Sequence, residues 1–182
     1  NCNYTAFYVD EPFSSSQLGA HATKDFYYYN ILRAWKGKNA LFPFNDAHAK
    51  TYSVRDDSNW ELTLKPRLQK RLRGSKNIIL FLSSNTKSSK ALVEEIEYGA
   101  CKLRLPIIVV YPELDQSQIV SNGQLSSWVN LLWDNLPILK EAMTKVPTLH
   151  IPMELDSVRD ALSAPELTIH GKKPGDTTKY YL

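Results

Sequence analysis

Three carboxylates lie close together in segment 94–97, and the apolar pattern around them predicts that only one points toward the core. A helix predicted across this segment has an apolar stripe that contains Leu92 and Ile96. At about 100° per residue, Glu95 lies about 60° from the centre of this stripe, whereas Glu94 lies on the opposite face and Glu97 points well away. A carboxylate turned toward the core indicates either chemistry or a structural ion pair, because an uncompensated buried charge is costly.

The elements that must position Glu95 follow an alternating pattern of short strands and helices. Segments 77–82 and 106–111 are near-continuous apolar runs, which is typical of strands covered by helices on both faces. The alternation predicts an α/β fold with a doubly wound, mostly parallel five-stranded sheet, whose ligands bind beyond the C-terminal strand ends. Strands are predicted at 4–9, 40–44, 77–82, 106–111 and 148–152, and helices at 21–36, 58–73, 88–103, 127–144 (interrupted near Pro137) and 155–163.

Composition and motifs argue against several function classes. The seven glycines form no phosphate-binding loop, so a conventional Rossmann or P-loop site is not expected. The basic stretch 65–73 has leucines every four residues, which predicts a helix with a solvated basic face rather than a nucleic-acid-binding surface. Cys2 and Cys101 match no metal-ligand spacing. No secretory signal or run approaching the ~20 apolar residues of a membrane span is visible, so we expect a cytoplasmic protein without membrane contact.

The segment around Glu95 also resembles a known protein family. A buried strand, then Ser-Ser-Asn-Thr, then a glutamate nine positions after Thr86, is similar to the third strand and following helix of TIR domains. The similarity is greatest to the TIR-like family that includes the NAD-consuming subunit of the Thoeris antiphage system. In that family the catalytic glutamate lies in a Trp-x-x-x-Glu segment, so the resemblance assigns the catalytic role to Glu95. The tryptophan position is Ala91 in this chain.

The resemblance extends over about residues 4–112. Segment 6–10 (AFYVD) is similar to the family's first strand with its aromatic residues, and segment 44–47 (FNDA) to a second-strand end that carries an Asp. Trp60–Glu61 is similar to a Trp-Glu pair soon after. At 182 residues the chain has the length of a single domain, so we expect one TIR-like domain over 1–182. Residues 113–164 would supply the remaining helices and the last strand, and 165–182 a C-terminal tail.

The family's activity implies that NAD is the substrate and that no separate cofactor is needed. Breaking the nicotinamide–ribose bond builds positive charge on the ribose, which a carboxylate at Glu95 would stabilise. Capture by water would yield ADP-ribose, whereas capture by the substrate's own adenine or ribose would yield a cyclic isomer. The resemblance favours a cyclic ADP-ribose-type signal, read by a downstream effector in antiphage defence.

Seven further residues are candidates for binding this substrate, and each has a plainer structural interpretation. The aromatic rings could stack on nicotinamide or adenine, or simply pack in the core. The polar groups after the second strand could contact ribose, or cap a loop. The serines stand where strand ends meet ligands, and the lysine could meet a diphosphate. These candidates are Phe7, Tyr8, Asp46, His48, Ser83, Ser84 and Lys87.

Two other functions remain open at this point. A nucleoside deoxyribosyltransferase-like enzyme would share a similar fold and use Glu95 as a covalent nucleophile. A TIR scaffold would signal by self-association without catalysis, and Glu95 would then be structural. Self-association is also compatible with the enzyme, because TIR-type domains often act only when assembled.

Overall fold

A parallel β-sheet with helices on both faces forms the framework of the computed structural model, in which residues 1–9, 24–48, 59–171 and 179–181 are described. The strands are β1 (Cys2–Ala6), β2 (Ser75–Phe81), β3 (Ile107–Tyr111), β4 (Val120–Ser121), β5 (Gln124–Leu125), β6 (Thr148–Pro152) and β7 (Lys179–Tyr181). The main sheet has the order β1-β2-β3-β6-β7, and every neighbouring pair is parallel. Strands β4 and β5 form a separate antiparallel pair. The predicted α/β class with a parallel sheet is therefore confirmed.

Helices cover the two faces of this sheet in the arrangement expected of a doubly wound fold. The helices are α1 (Lys24–Lys38), α2 (Lys65–Arg73), α3 (Lys90–Ile96), α4 (Gln116–Ile119), α5 (Ser127–Asp134), α6 (Pro137–Ala142) and α7 (Leu155–Ser163). Two π-helical turns, Trp60–Leu64 and Glu97–Lys102, adjoin α2 and α3, and a 3-10 turn spans Pro165–Leu167. The first face of the sheet packs on α2, α3, α5 and α6, and the second face packs on α1 and α7.

The predicted second strand at 40–44 is wrong. This segment forms turns, in which the Phe42 N–H donates to the Asn39 carbonyl, and its aromatic side chains are buried against the second face. Pro43 has no N–H to donate to a strand ladder, which disfavours a paired strand here. Close to this segment, the described residues include one parallel bridge, between Asn3 and Asp46.

The fifth strand comes instead from the region predicted as a tail. Strand β7 pairs with β6 in parallel, and Leu167 is buried against the second face. The Leu167 carbonyl accepts a hydrogen bond from the buried amide of Asn77, at 2.9 Å. Residues after 164 therefore belong to the packed domain where they are described.

The N-cap of α3 and the close packing of Gly99 on β2 determine the position of α3 against the sheet. Ser89 caps α3 by accepting from the Leu92 N–H, at 3.1 Å. In the following π-helical turn, a Cβ on Gly99 would lie 2.6 Å from Ile78 Cδ1 and 3.0 Å from Leu72 Cδ2. Only glycine allows this approach without a shift of the buried side chains, so the turn anchors α3 against β2.

The other predicted helices agree in place, with shifted ends. The break near Pro137 separates α5 from α6, as predicted. The second helix begins at an N-cap on Asn59, whose side chain accepts from the Leu62 N–H. The capping box predicted from Ser58 involves a residue outside the described part of the chain.

Within the described ranges, no helix is long and apolar enough to cross a membrane. Among the same residues, no group of histidine, cysteine, aspartate and glutamate side chains is arranged to hold a metal ion.

Candidate functional site

Glu95 projects from α3 toward the first face of the sheet, and its carboxyl group is buried there. The Tyr4 hydroxyl donates a hydrogen bond to Glu95 Oε1 at 2.8 Å. Oε2 is also buried and accepts no hydrogen bond from any residue that the structure describes. Burial raises the pKa of Glu95 to about 8, against the lowering effects of the Tyr4 hydrogen bond and the Arg71 charge. The inward orientation predicted from the helical periodicity is confirmed.

The neighbouring carboxylates have different surroundings. Glu94, predicted on the face opposite the apolar stripe, contacts α2: Gln69 Nε2 donates to its Oε1 at 2.7 Å, and Lys65 Nζ lies 3.7 Å from its Oε2. Its side chain is only 15% exposed, because α2 packs beside it. Glu97 is exposed, as predicted. Glu95 is thus the one member of the three that reaches the sheet.

Tyr4 is held between Glu95 and His48. The His48 ring is buried and packs edge-on against Tyr4, with ring centroids 4.6 Å apart. Its Nε2 lies 3.0 Å from the Thr5 carbonyl oxygen, to which the Nε2–H donates. Burial, followed by the Arg71 charge, lowers the pKa of His48 to about 4, so the ring is neutral at pH 7. The predicted candidates Glu95 and His48 are therefore brought together through Tyr4.

Asp46 has structural contacts at the edge of the sheet. Its Oδ2 accepts from the Tyr29 hydroxyl at 2.5 Å, and its Oδ1 accepts from the His48 N–H at 2.8 Å. These bonds tie α1 to the segment that carries His48. The loop-capping interpretation of Asp46 accounts for both contacts.

Phe7 and Tyr8 lie on opposite faces, as successive residues at a strand end do. Phe7 is 6% exposed and stacks on Tyr29 with centroids 5.7 Å apart, beside Phe26. It is therefore part of the core on the second face. Tyr8 is half-buried and packs against the first face, the same face as Tyr4 and Glu95.

The predicted serines lie at the C-terminal end of β2, and they have separate partners. Ser83 is buried, and its Oγ donates to Asp25 Oδ1 at 3.0 Å. Burial raises the pKa of Asp25, against hydrogen bonds from Ser83 and neighbouring groups. Ser84 is exposed and donates from its N–H and its Oγ to Glu113. Lys87 is exposed in the loop that follows.

A shallow pocket of about 290 Å³ lies between the starts of α2 and α3. Trp60 and Val93 form its apolar part, and the Lys90 ammonium lies 5.3 Å from the centroid of the Trp60 ring. Glu95 is not one of the lining residues. The pocket is therefore separate from the Glu95 carboxyl group.

The sequence analysis did not single out four residues that contact or electrostatically affect the candidate residues: Tyr4, Asp25, Arg71 and Glu113. Tyr4 had a usable signal, since Tyr4 and Ala6 of β1 and Tyr8, two positions beyond its end, alternate along the chain and share a face. Arg71 lies within the stretch predicted to form a solvated basic face, but it is half-buried and its charge acts on both Glu95 and His48. No local pattern distinguishes it from the exposed cations of α2.

Comparison with known families agrees with the extent of the resemblance seen in the sequence. A family model described as Thoeris protein ThsB, TIR-like domain, matches residues 4–117. The matched region contains residues 4–6 of β1 and all of β2, α3 and β3, and hence both Tyr4 and Glu95.

Proposed function

Because this chain belongs to the TIR-like domain family of the Thoeris protein ThsB, we propose that it cleaves NAD at the nicotinamide–ribose bond, with Glu95 as the catalytic carboxylate. The observation that carries the proposal is the buried Oε2, which accepts no hydrogen bond from the described residues. A buried polar atom without a hydrogen-bond partner costs about 1–3 kcal/mol, and strongly shifted pKa values concentrate at functional sites. Ribose hydroxyls of a bound substrate would supply the missing donors.

The chemistry requires Glu95 to be ionised when the bond breaks. The electron pair of the C–N bond moves to the nicotinamide nitrogen, which becomes neutral, and positive charge develops on the ribose. A carboxylate beside the ribose stabilises this charge, particularly where water is excluded. The pyridinium of NAD is itself a cation, so its approach lowers the pKa of Glu95 from its value of about 8 in the free protein.

The ribose cation is then captured by water or by a nucleophile of the same substrate. The burial of Glu95 supports internal capture, because a desolvated site restricts the attacking water. We therefore propose a cyclic ADP-ribose-type product that serves as a signal to a separate effector in antiphage defence. Self-association of the domain is part of this proposal, as a condition of activity.

The surrounding aromatic residues suit the base and ribose of this substrate. Tyr8 shares the first face with Glu95 and is half-buried, and we assign its ring to stacking on nicotinamide. His48, neutral and packed on Tyr4, holds the Tyr4 hydroxyl at Glu95 rather than carrying charge itself. Phe7 and Ser83 contact α1 through Tyr29 and Asp25, so they stabilise the packing of α1 rather than bind the substrate.

The activity should increase with pH as the carboxylate forms. We expect kcat/KM for NAD to rise up to an inflection near pH 8, since kcat/KM reports the pKa of the free enzyme. The inflection in kcat should lie at lower pH, because the bound pyridinium favours the ionised form. Initial rates of nicotinamide release between pH 6 and 9.5 test both points. A kcat/KM that falls over this range would contradict the requirement for an ionised Glu95.

Replacing Tyr4 by phenylalanine should shift this profile to higher pH. The Tyr4 hydrogen bond lowers the pKa of Glu95, so its loss raises the pKa further and moves the inflection in kcat/KM above 8. At pH 7 we expect kcat/KM to fall about ten-fold, the effect of one pKa unit. Tyr98→Phe is the matched control, because the Tyr98 hydroxyl binds Arg73 instead. Equal inflections in Tyr4→Phe and the unmodified protein would show that Tyr4 does not tune Glu95.

A further inference from the structure

Ser84 holds a carboxylate that comes from the end of a different strand. Its N–H donates to Glu113 Oε1 at 2.5 Å, and its Oγ donates to Oε2 at 2.7 Å. One residue therefore binds both oxygens of an anion, which is also the way that paired phosphate oxygens are bound. Glu113 is exposed and lies just beyond β3, so it reaches Ser84 from the neighbouring strand end.

The position of this contact in the sheet, and a lysine three residues further along the chain, suit a larger anion. The C-terminal ends of β2 and β3 are adjacent in the sheet, at the edge where parallel α/β folds bind their ligands. Lys87 follows Ser84 by three positions and is exposed. Among the described residues it makes no ion pair within 4.0 Å.

We propose that Ser84 and Lys87 form a seat for the diphosphate group of the substrate, and that the Glu113 carboxylate occupies this seat until the substrate displaces it. The inference rests on the proposed function for the identity of the substrate. It assigns to Glu113 a part in substrate recognition: the side chain competes with the diphosphate and so raises the KM for NAD.

The balance of charges explains why the diphosphate displaces Glu113. A diphosphate has two negative charges and more acceptor oxygens than one carboxylate, so it gains more from the Ser84 donors and from the Lys87 ammonium. Once released, Glu113 is solvated by water, because its position is exposed. Smaller anions with a single charge have no such advantage.

Binding of inorganic pyrophosphate tests the seat without any catalytic step. Glu113→Gln removes the competing charge, and we expect the Kd of pyrophosphate, measured by calorimetry at low salt, to fall about ten-fold. Ser84→Ala and Lys87→Met should each raise this Kd about five-fold, since each removes a donor or the counter-charge. Glu166→Gln is the matched control: it is exposed and follows α7, near residues that contact the N-terminal half of β2.

Two results would overturn the inference. One is an unchanged Kd in Glu113→Gln, and the other is an equal tightening in Glu166→Gln, which would reflect net charge alone.

With NAD, Glu113→Gln should lower KM, whereas the KM for nicotinamide riboside, which lacks the diphosphate, should stay constant. If pyrophosphate binding responds as expected but NAD is not cleaved, only the proposed reaction fails. If NAD is cleaved but pyrophosphate binding does not respond, only the seat fails.

Discussion

Glutamine in place of Glu95 is expected to lower kcat for nicotinamide release from NAD by about a thousand-fold or more. The substitution keeps the side-chain volume and an oxygen that accepts from the Tyr4 hydroxyl. It removes the negative charge that would face the ribose cation, and a single electrostatic group in a water-excluded site contributes on this scale. Because the remaining substrate contacts are unchanged, KM should change little.

The measurement compares initial rates at saturating NAD in the unmodified protein and in Glu95→Gln. Glu94→Gln is the matched control, because Glu94 lies on the same helix but binds Gln69 and Lys65 instead of the sheet. We expect Glu94→Gln to keep kcat within a few-fold. Similar losses in both variants would mean that the charge of α3, rather than the Glu95 carboxylate, supports the reaction.

The same substitution should change the pH dependence of stability by roughly 4 kcal/mol between pH 4.5 and 9. The pKa of Glu95 is about 8 in the folded protein and 4.5 as an unperturbed group. Over that interval the folded state keeps a proton that the unfolded state has released, so the stabilising contribution, complete below pH 4.5, is lost as pH rises to 8. At about 1.4 kcal/mol per pKa unit, the full shift from 4.5 to about 8 is worth about 5 kcal/mol. About 4 kcal/mol of this is lost between pH 4.5 and 9, because the group in the unfolded chain is already half ionised at pH 4.5.

Urea unfolding of both proteins from pH 5 to 9 measures the effect. The free energy of unfolding of Glu95→Gln relative to the unmodified protein should increase steadily up to about pH 8 and then level off. The lowered pKa of His48 has the opposite sign, since its contribution grows as pH rises from 4 to 6.5, but it is present in both proteins and cancels. A constant difference across the pH range would show that Glu95 is ionised in the free protein.

The sequence was sufficient for the features that depend on local periodicity. Leu92 and Ile96 define the buried stripe of α3, so the inward direction of Glu95 follows from helix geometry alone. The apolar runs of β2 and β3 identify central strands because both faces are covered. The break before α6 follows from Pro137, which fits the first position of a helix and not its interior.

The features that were missed depend on contacts between distant parts of the chain. Segment 40–44 has the apolar composition of a strand, but its aromatic residues reach the core from turns. Glu94 is covered by α2, and the periodicity of α3 alone cannot predict a contact with another helix. Glu113 and Ser84 meet only because β2 and β3 are neighbours in the sheet.

The candidate residues fall into those that periodicity selects and those whose role depends on contacts with distant parts of the chain. Helical periodicity selects Glu95, but it does not reveal that His48 joins the group through Tyr4. The polar pattern around Asp46 and Ser83 is equally compatible with binding and with turn structure. Asp46 binds Tyr29, 17 positions earlier in the chain, and Ser83 binds Asp25, 58 positions earlier. Both partners belong to α1, so neither contact follows from a local pattern.

Chromatography of NAD incubated with concentrated protein tests the central claim most directly. Unmodified protein, Glu95→Gln and Glu94→Gln are followed side by side, and nicotinamide and the nucleotide product are quantified together. We predict one nicotinamide for each NAD consumed by the unmodified protein and by Glu94→Gln, and almost none with Glu95→Gln. Equal release by Glu95→Gln, or no release by the unmodified protein at any concentration, would contradict the assignment of Glu95 as the carboxylate of an NAD-cleaving site.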